Sequence, residues 1–259
     1  MCILFIAVNQ HPKYPLIVAA NRDEFHKRPT SNSQFWTDKP DILAGKDEEA
    51  GGTWMGINRD GAISALTNIR APGREVNNAT TRGELVMNFL DAGKKQRPHY
   101  AEKLSSTREH YNGYNLLFGH LEQLYVYNNF DDELIALNDG VYGLSNASLN
   151  SPWPKIAKGR DALAKYCKHA NMLDTEHLFE LLKNDALADD DALPKTGVPL
   201  EWERRLSSIF IQTDDYGTRS STLLLVDKNN HVTWEERSFD NQAKQQSVQK
   251  YAFDLHVKD

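Results

Sequence analysis

Met1-Cys-Ile-Leu-Phe-Ile-Ala-Val8 is an apolar run rich in strand formers, Asn9-Gln-His-Pro-Lys-Tyr-Pro15 interrupts it, and Leu16-Ile-Val-Ala-Ala-Asn-Arg-Asp-Glu24 resumes it. Two such runs about a short polar loop read as a β-hairpin. With the turn near Pro12, antiparallel pairing sets residue 2 opposite roughly residue 22. The hairpin therefore carries a thiol at the chain end to Arg22 and Asp23.

Working outward, the next strands come as hairpins. Thr53-Trp-Met-Gly-Ile-Asn58 and Ala62-Ile-Ser-Ala-Leu-Thr-Asn-Ile69 flank Asn58-Arg-Asp-Gly61, whose Asp-Gly pair tolerates positive φ. Ile42 to Gly45 reads as a short strand, and the polar stretch Phe25 to Pro40 reads as a loop. Thr81-Arg-Gly-Glu84 has the form of a capping box, opening a helix that Gly93 closes, and Pro98 starts a second helix to about Glu109. Strands follow at Tyr114–Phe118, Leu124–Tyr127 and Leu134–Leu137, with Asn138-Asp-Gly140 as a further hairpin turn into Val141–Asn146. Lys155 to His169 is helical, with Ile156, Leu163, Ala164 and Cys167 on one face. Asp174 caps a helix from Glu176 to Leu187, and strands end the chain at Ser207–Gln212, Thr218–Val226 and Val232–Arg237. Antiparallel hairpins alternate with pairs of helices and no βαβ unit occurs, which predicts an α+β fold with helices covering antiparallel sheets. Without a linker or repeat, residues 1–259 are expected to form one domain.

Composition excludes several function classes. The chain has 259 residues, 40% hydrophobic and 25% charged, with net charge −6. No basic cluster exceeds a solvated helix face, so no nucleic-acid partner is expected. The two cysteines, Cys2 and Cys167, form no CxxC or CxxCH, which disfavours a disulfide framework, a zinc finger and covalent haem attachment. No apolar run reaches about 18 residues, so no transmembrane helix is expected. The first run lacks a basic region before it and a small-residue cleavage site after it, so no signal peptide is expected and the location is read as cytoplasmic.

Cys2 stands directly behind the start methionine. Removal of Met1 is favoured before a small residue and would leave one residue bearing a thiol and a free α-amine, with pKa values near roughly 8.5 and 8. Such an amine can act as the base that activates its own nucleophile. Arg22 would stabilise a thiolate and Asp23 would orient the amine. The competing reading makes Cys2 a small apolar residue opening a buried strand, and Cys167 has the place of a core side chain.

Met1-Cys2, Asn21-Arg-Asp-Glu24, Ile42-Leu-Ala-Gly45, Gly51-Gly-Thr-Trp-Met-Gly-Ile57, Gly143-Leu-Ser-Asn146 with Pro152-Trp-Pro-Lys155, and Gly217-Thr-Arg-Ser220 together resemble the NRDE, or transport and Golgi organisation protein 2, family. The resemblance runs from residue 1 to about residue 240. It implies the fold of N-terminal-nucleophile hydrolases, a four-layer αββα sandwich, and a single NRDE-type domain. Within that superfamily the chain looks most like the cysteine branch of bile salt hydrolase and penicillin V acylase. The resemblance then implies Cys2 as nucleophile, Asp23 as the residue orienting the amine, Asn68 and Asn146 as oxyanion donors, and Arg219 as a later site arginine. Those acylases separate their Arg and Asp by two residues. Here Arg22 and Asp23 are adjacent and point to opposite faces of a strand, so both reach Cys2 only where the strand ends or twists.

The family resemblance also implies haem or acyl-lipid binding and trafficking, with haem as cargo, and this is the function it puts first. The residues themselves favour the alternative, a cysteine amidohydrolase cleaving non-peptide C–N bonds of linear amides. The ligand in either case is a small hydrophobic or amphipathic molecule. Among the nine histidines, His11 and His26 flank the site in sequence and are the available axial ligands. No metal motif is present.

Overall fold

The structure, a computed structural model, describes residues 2–169 and 173–256. In chain order the strands and α-helices are β1 (Cys2–Val8), β2 (Leu16–Phe25), β3 (Thr30–Trp36), β4 (Lys39–Asp47), β5 (Met55–Asn58), β6 (Ile63–Asn68), α1 (Gly83–Asp91), α2 (Tyr100–Thr107), β7 (Tyr114–His120), β8 (Gln123–Asn128), β9 (Glu133–Leu137), β10 (Gly140–Leu144), α3 (Pro154–His169), α4 (Thr175–Leu182), α5 (Leu200–Arg205), β11 (Tyr216–Val226), β12 (His231–Phe239) and β13 (Gln245–Asp254). The chain divides into two units, one of Met1–Lys27 with Asp139–Phe253 and one of Arg28–Asn138 with Asp254–Asp259.

The first unit is built on a six-stranded sheet in the order β10-β1-β2-β11-β12-β13. Its central strands are nearly continuous apolar runs because both faces are buried, Ile3 through Ala7 and Leu16 through Ala20 without a break. On one face Ile3, Phe5, Ala7, Ile17, Ala19, Leu223 and Leu225 meet Ile156, Leu163 and Cys167 of α3 and Leu178, Phe179 and Leu182 of α4. Each Ile, Leu and Phe side chain among them contributes about 1.5–3 kcal/mol by leaving water. Gly159 permits the contact, since a Cβ there would lie 2.0 Å from the Phe5 ring. Cys167 is a core residue, as its helical position predicted. Ala164 is exposed, and the residue that shares the buried stripe of α3 is Lys155.

The second unit holds a seven-stranded sheet whose order, β3-β4-β5-β6-β7-β8-β9, is the order of the chain. α1 and α2 cover one face, where Leu85, Val86, Phe89, Leu90, Tyr100 and Leu104 pack on Ile42, Ala44, Leu116, Phe118 and Tyr127. Gly56 lets α1 approach β5, because a Cβ there would lie 2.7 Å from Leu90 and 2.9 Å from Ala44.

Five local expectations are corrected. Ser207–Gln212 is not a strand: it follows α5 as a bent segment in which Gln212 makes an isolated bridge to Gly217. Phe25 to Pro40 is not a loop: it completes β2, forms β3 and begins β4. The capping box does not form, since the helix starts at Gly83 with Arg82 as an N-cap that makes no side-chain cap bond. Glu84 instead accepts a 2.6 Å hydrogen bond from the Tyr111 hydroxyl, and the guanidinium of Arg97, not Gly93, covers the last carbonyls of α1 at Phe89 and Leu90. The turn at Asn138-Asp-Gly140 joins no hairpin, because β9 and β10 belong to different sheets. The fourth helix ends at Leu182 rather than Leu187, with its Asp174 cap in place on the Glu176 amide.

Candidate functional site

The hairpin register is the one the opening stretch predicted: β1 and β2 are antiparallel with Cys2 opposite Arg22, Ile3 opposite Asn21 and Leu4 opposite Ala20. Side chains opposite one another in a pair share a face and neighbours alternate. Cys2 and Arg22 therefore stand on one face of the sheet, and Asn21 and Asp23 on the face that carries α3 and α4. β2 does not break at this point but continues to Phe25.

Each polar residue on the helix-bearing face is held by named partners. Asn21 donates to the carbonyls of Leu182 at 2.9 Å and Ile209 at 3.0 Å and accepts from the Ser221 hydroxyl at 2.6 Å. It anchors the strand to the segments behind it. Asp23, 1% exposed, accepts a 2.7 Å hydrogen bond from the Thr218 hydroxyl, and that hydroxyl accepts in turn from the Ile211 amide at 2.9 Å. The pairing of β2 with β11 slips between Thr218, opposite Asp23, and Ser220, opposite Arg22. Arg219 is the extra residue of this bulge, a device that re-aims a side chain at a sheet. Its guanidinium donates to the Phe25 carbonyl at 3.0 Å.

The other side of Cys2 is supplied by β10, which pairs with β1 so that Leu144 lies opposite Leu4. The two residues after that strand consequently run alongside Cys2. The Ser145 hydroxyl lies 3.2 Å from the Cys2 carbonyl and 3.1 Å from Asn146 Oδ1. Asn146 is 1% exposed.

Electrostatics follow from burial. The Asp23 carboxyl is pushed up to about 6 by desolvation, although the Lys155 ammonium and the Thr218 hydroxyl favour its charged form. Burial likewise raises the Cys2 thiol, with the Asp23 charge adding to it and Arg22 opposing. Arg219 is lowered by burial and then by the charge of Arg22, which places the two guanidinium groups within each other's field. Lys155 is buried and donates to the Leu206 carbonyl at 3.0 Å. It was not singled out as a site residue from sequence. Its signal was there: Lys155, Gly159, Leu163 and Cys167 form one stripe of α3, and a charge on an otherwise apolar stripe requires a partner.

Cys2, Arg22, Asp23 and Arg219 thus come from neighbouring strands of the first unit, and Asn146 from the segment that follows β10. Asn68 closes β6 in the second unit, opposite Tyr114. Met1, and with it the expected processing, lies outside the described residues. Of the two histidines taken to flank the site, His11 lies in the β1–β2 turn, a strand length of roughly 20 Å from Cys2, with its Nδ1 accepting from the Lys13 amide. His26 follows β2, is lowered by burial and by Arg219, and both of its ring nitrogens are buried away from solvent. Among the described residues no group of three or more His, Cys, Asp or Glu could hold a metal ion, and no helix is long and apolar enough to cross a membrane.

Comparison with known proteins places this geometry in a family. The family model described as Transport and Golgi organisation 2 matches residues 1–241. The Transport and Golgi organization 2 homolog of Mus musculus is 36% identical over 276 residues, covering 98% of this chain and 99% of its own. The Homo sapiens homolog is 34% identical over 276 residues with the same coverage, 98% and 99%. Among solved structures, a mutant of conjugated bile acid hydrolase from Clostridium perfringens superposes with a TM-score of 0.51 at 10% identity, covering 100% of this chain and 98% of that one. That likeness concerns the fold alone: an α+β, N-terminal-nucleophile hydrolase fold with antiparallel sheets. The chain belongs to the transport and Golgi organisation 2 family.

Proposed function

We propose that the chain is a cysteine amidohydrolase in which Cys2, freed by removal of Met1, cleaves a linear amide. The observation that carries this reading is the arrangement of charge about Cys2: Arg22 on the thiol's own face, and buried Asp23 one residue further along, where a chain beginning at Cys2 would present its α-amine. A buried carboxylate is costly unless it is paired, and an ammonium group at that point is a fitting partner.

In the reaction the α-amine takes the thiol proton as sulfur attacks the amide carbon. The carbonyl π electrons move to oxygen, and the resulting oxyanion is met by amide donors. Asn146 suits that role because the Ser145 hydroxyl, which also donates to the Cys2 carbonyl, donates to its Oδ1 and holds the side-chain amide beside Cys2. The C–N bond then breaks as the leaving amine takes the proton back, leaving a thioester on Cys2. Water attacks the thioester, the acid departs, and the thiol is restored. Arg22 holds the thiolate form, and Arg219 adds positive charge for an acidic or amphipathic substrate.

The test is amine release from a panel of N-acyl amides, read beside intact mass. Wild-type chain lacking Met1 should turn over at least one member, and Cys2→Ala should not. Turnover by chain that retains Met1, or by Cys2→Ala, would sink the mechanism. A second reading, carriage of haem or an acyl chain without turnover, rests on the family resemblance alone. It requires a saturable Soret shift on haem titration that survives Cys2→Ser, and a featureless titration rules it out.

A further inference from the structure

The second unit contains a cavity of 650 Å³ between α1–α2 and the strands β7 to β9. The size is that of a small-molecule site. One wall is aromatic: Phe118 and Tyr125 stack with ring centroids 5.9 Å apart at 29°, and Phe89 meets Phe118 edge-on at 5.3 Å. Leu134 extends that wall and is 44% exposed, an apolar side chain left in water at the mouth of a concave surface.

The polar end is organised by Arg97, which is buried. Its guanidinium donates to Phe89 and Leu90 carbonyls and, at 2.6 Å, to Asp60. The remaining contact is to His120 Nε2 at 3.4 Å. Guanidinium only donates, so Nε2 must accept and the imidazole proton must sit on Nδ1. The same proximity, after burial, lowers the His120 pKa and keeps the ring neutral. Nδ1 lies near Gly61, 3.9 Å from where a Cβ on that residue would stand. His120 lines the cavity, and with Nε2 turned to Arg97 the ring proton sits on Nδ1. Lys94 lines the same end and acts on His120 electrostatically. Asp60 is spent on Arg97, and Glu122 is an exposed rim carboxylate, where high dielectric weakens its repulsion.

We propose that this cavity binds a planar aromatic carboxylate, its ring lying on the Phe118–Tyr125 wall and its carboxylate on His120 Nδ1–H and the Lys94 ammonium. A ring can lie offset on the Tyr125 face, whereas an alkyl chain touches that plane along one edge only. The carboxylate is the head group that satisfies an N–H donor and an ammonium together.

Calorimetric titration of the full chain with naphthoate, naphthylmethanol and decanoate tests this. Naphthoate should bind saturably at one site. Naphthylmethanol, lacking the charge, should bind about tenfold more weakly, and His120→Phe and Tyr125→Ala should each weaken naphthoate by a similar factor. Lys94→Met, at an exposed position, gives a further reading should either core variant fail to fold by circular dichroism. Absence of saturation, equal binding of decanoate, or naphthoate affinity unchanged in the folded variants would overturn the proposal.

Discussion

Thr218→Val isolates what holds Asp23. The substitution keeps shape and removes one hydroxyl that serves two buried groups, donating to Asp23 Oδ1 at 2.7 Å and accepting from the Ile211 amide at 2.9 Å. Thr218, Asp23 and Ile211 are each 1% exposed, so water cannot replace either bond. A hydrogen bond to a charged group contributes about 1.5–3 kcal/mol, and an orphaned buried N–H costs about 1–3. Allowing for non-additivity, the expected loss is about 3–5 kcal/mol near pH 7.5, against about 1 kcal/mol for Thr218→Ser, which loses only a methyl. The gap must depend on pH. Asp23 titrates at about 6 in the folded chain against an ordinary value of 3.8, so in wild type stability falls, by about 3 kcal/mol in all, as pH rises from about 4 through 6. Removing the donated bond raises the folded pKa further and extends that loss to higher pH. The difference between the Thr218→Val variant and wild type should therefore be largest above about pH 7 and shrink below about pH 5, where Asp23 is protonated and only the orphaned amide remains. Urea unfolding across that range measures it. A valine variant within about 1 kcal/mol of the serine variant, or a gap that does not vary with pH, would refute the role assigned to this hydroxyl.

Two other outcomes are expected. Gly159→Ala gains about 1 kcal/mol of helix propensity, yet its Cβ would lie 2.0 Å from the Phe5 ring, and overpacking of this kind costs about 1–3 kcal/mol or more. A thermal melt should show Tm lowered by roughly 3–8 °C and partly restored by Phe5→Leu in the same chain, whereas an unchanged Tm would mean the core yields there. Iodoacetamide should label Cys2 slowly near neutral pH in chain that keeps Met1, because burial raises its thiol, and faster once Met1 is gone. Cys167, 1% exposed with its thiol pushed up to about 11, should react only on unfolding, and labelling of Cys167 in native protein at the Cys2 rate would contradict the packing of α3.

Local chemistry explains which parts of the fold could be read from the chain. The β1–β2 register was legible because two apolar runs of matched length surround one proline-bearing loop, leaving a single pairing that buries both. The failures share a cause, competition from partners distant in sequence. Thr30-Ser-Asn-Ser-Gln-Phe-Trp36 looks like loop, but it is an edge strand, β3, with little apolar demand. β13, Gln245–Asp254, went unread because its half-buried face mixes Ser247 and Gln249 with Tyr251 and Phe253 while its exposed face carries Val248 and Ala252, so the hydropathy of the sequence does not alternate. Glu84 left its capping box for Tyr111, and Gly140 resembled a hairpin turn while carrying the chain from one sheet to the other. Among site residues Cys2, Arg22 and Asp23 were legible from the hairpin alone. Asn68, Asn146 and Arg219 needed the family resemblance, and Lys155, although its place on the apolar stripe of α3 was a signal, needed the structure to show its burial and its bond to the Leu206 carbonyl.

The adjacency of Arg22 and Asp23 looked like a defect of the site, and the register turns it into a division of labour. Had the two residues been separated by one position, both side chains would stand on one face and compete for the thiol. As it is, β2 runs straight through them, and the Cys2 thiol shares its face with the Arg22 side chain while the Asp23 side chain stands on the other. The backbone nitrogen of Cys2 belongs to neither face: main-chain groups lie in the plane of the sheet and are open to side chains from both sides. A strand that begins at residue 2 offers its amine there, toward position 23. On the proposed reading the arginine therefore attends the nucleophile and the aspartate attends the base, one from each face, while Thr218 and Lys155 hold the aspartate from behind. Asp23→Ala should then impair activation of the thiol without removing the positive charge beside it, and Arg22→Met should do the reverse. The pH dependence of Cys2 alkylation in processed chain separates them: loss of Asp23 should shift the amine's titration, and loss of Arg22 the thiol's. If both variants move the same titration, the two faces are not independent and the division of labour fails.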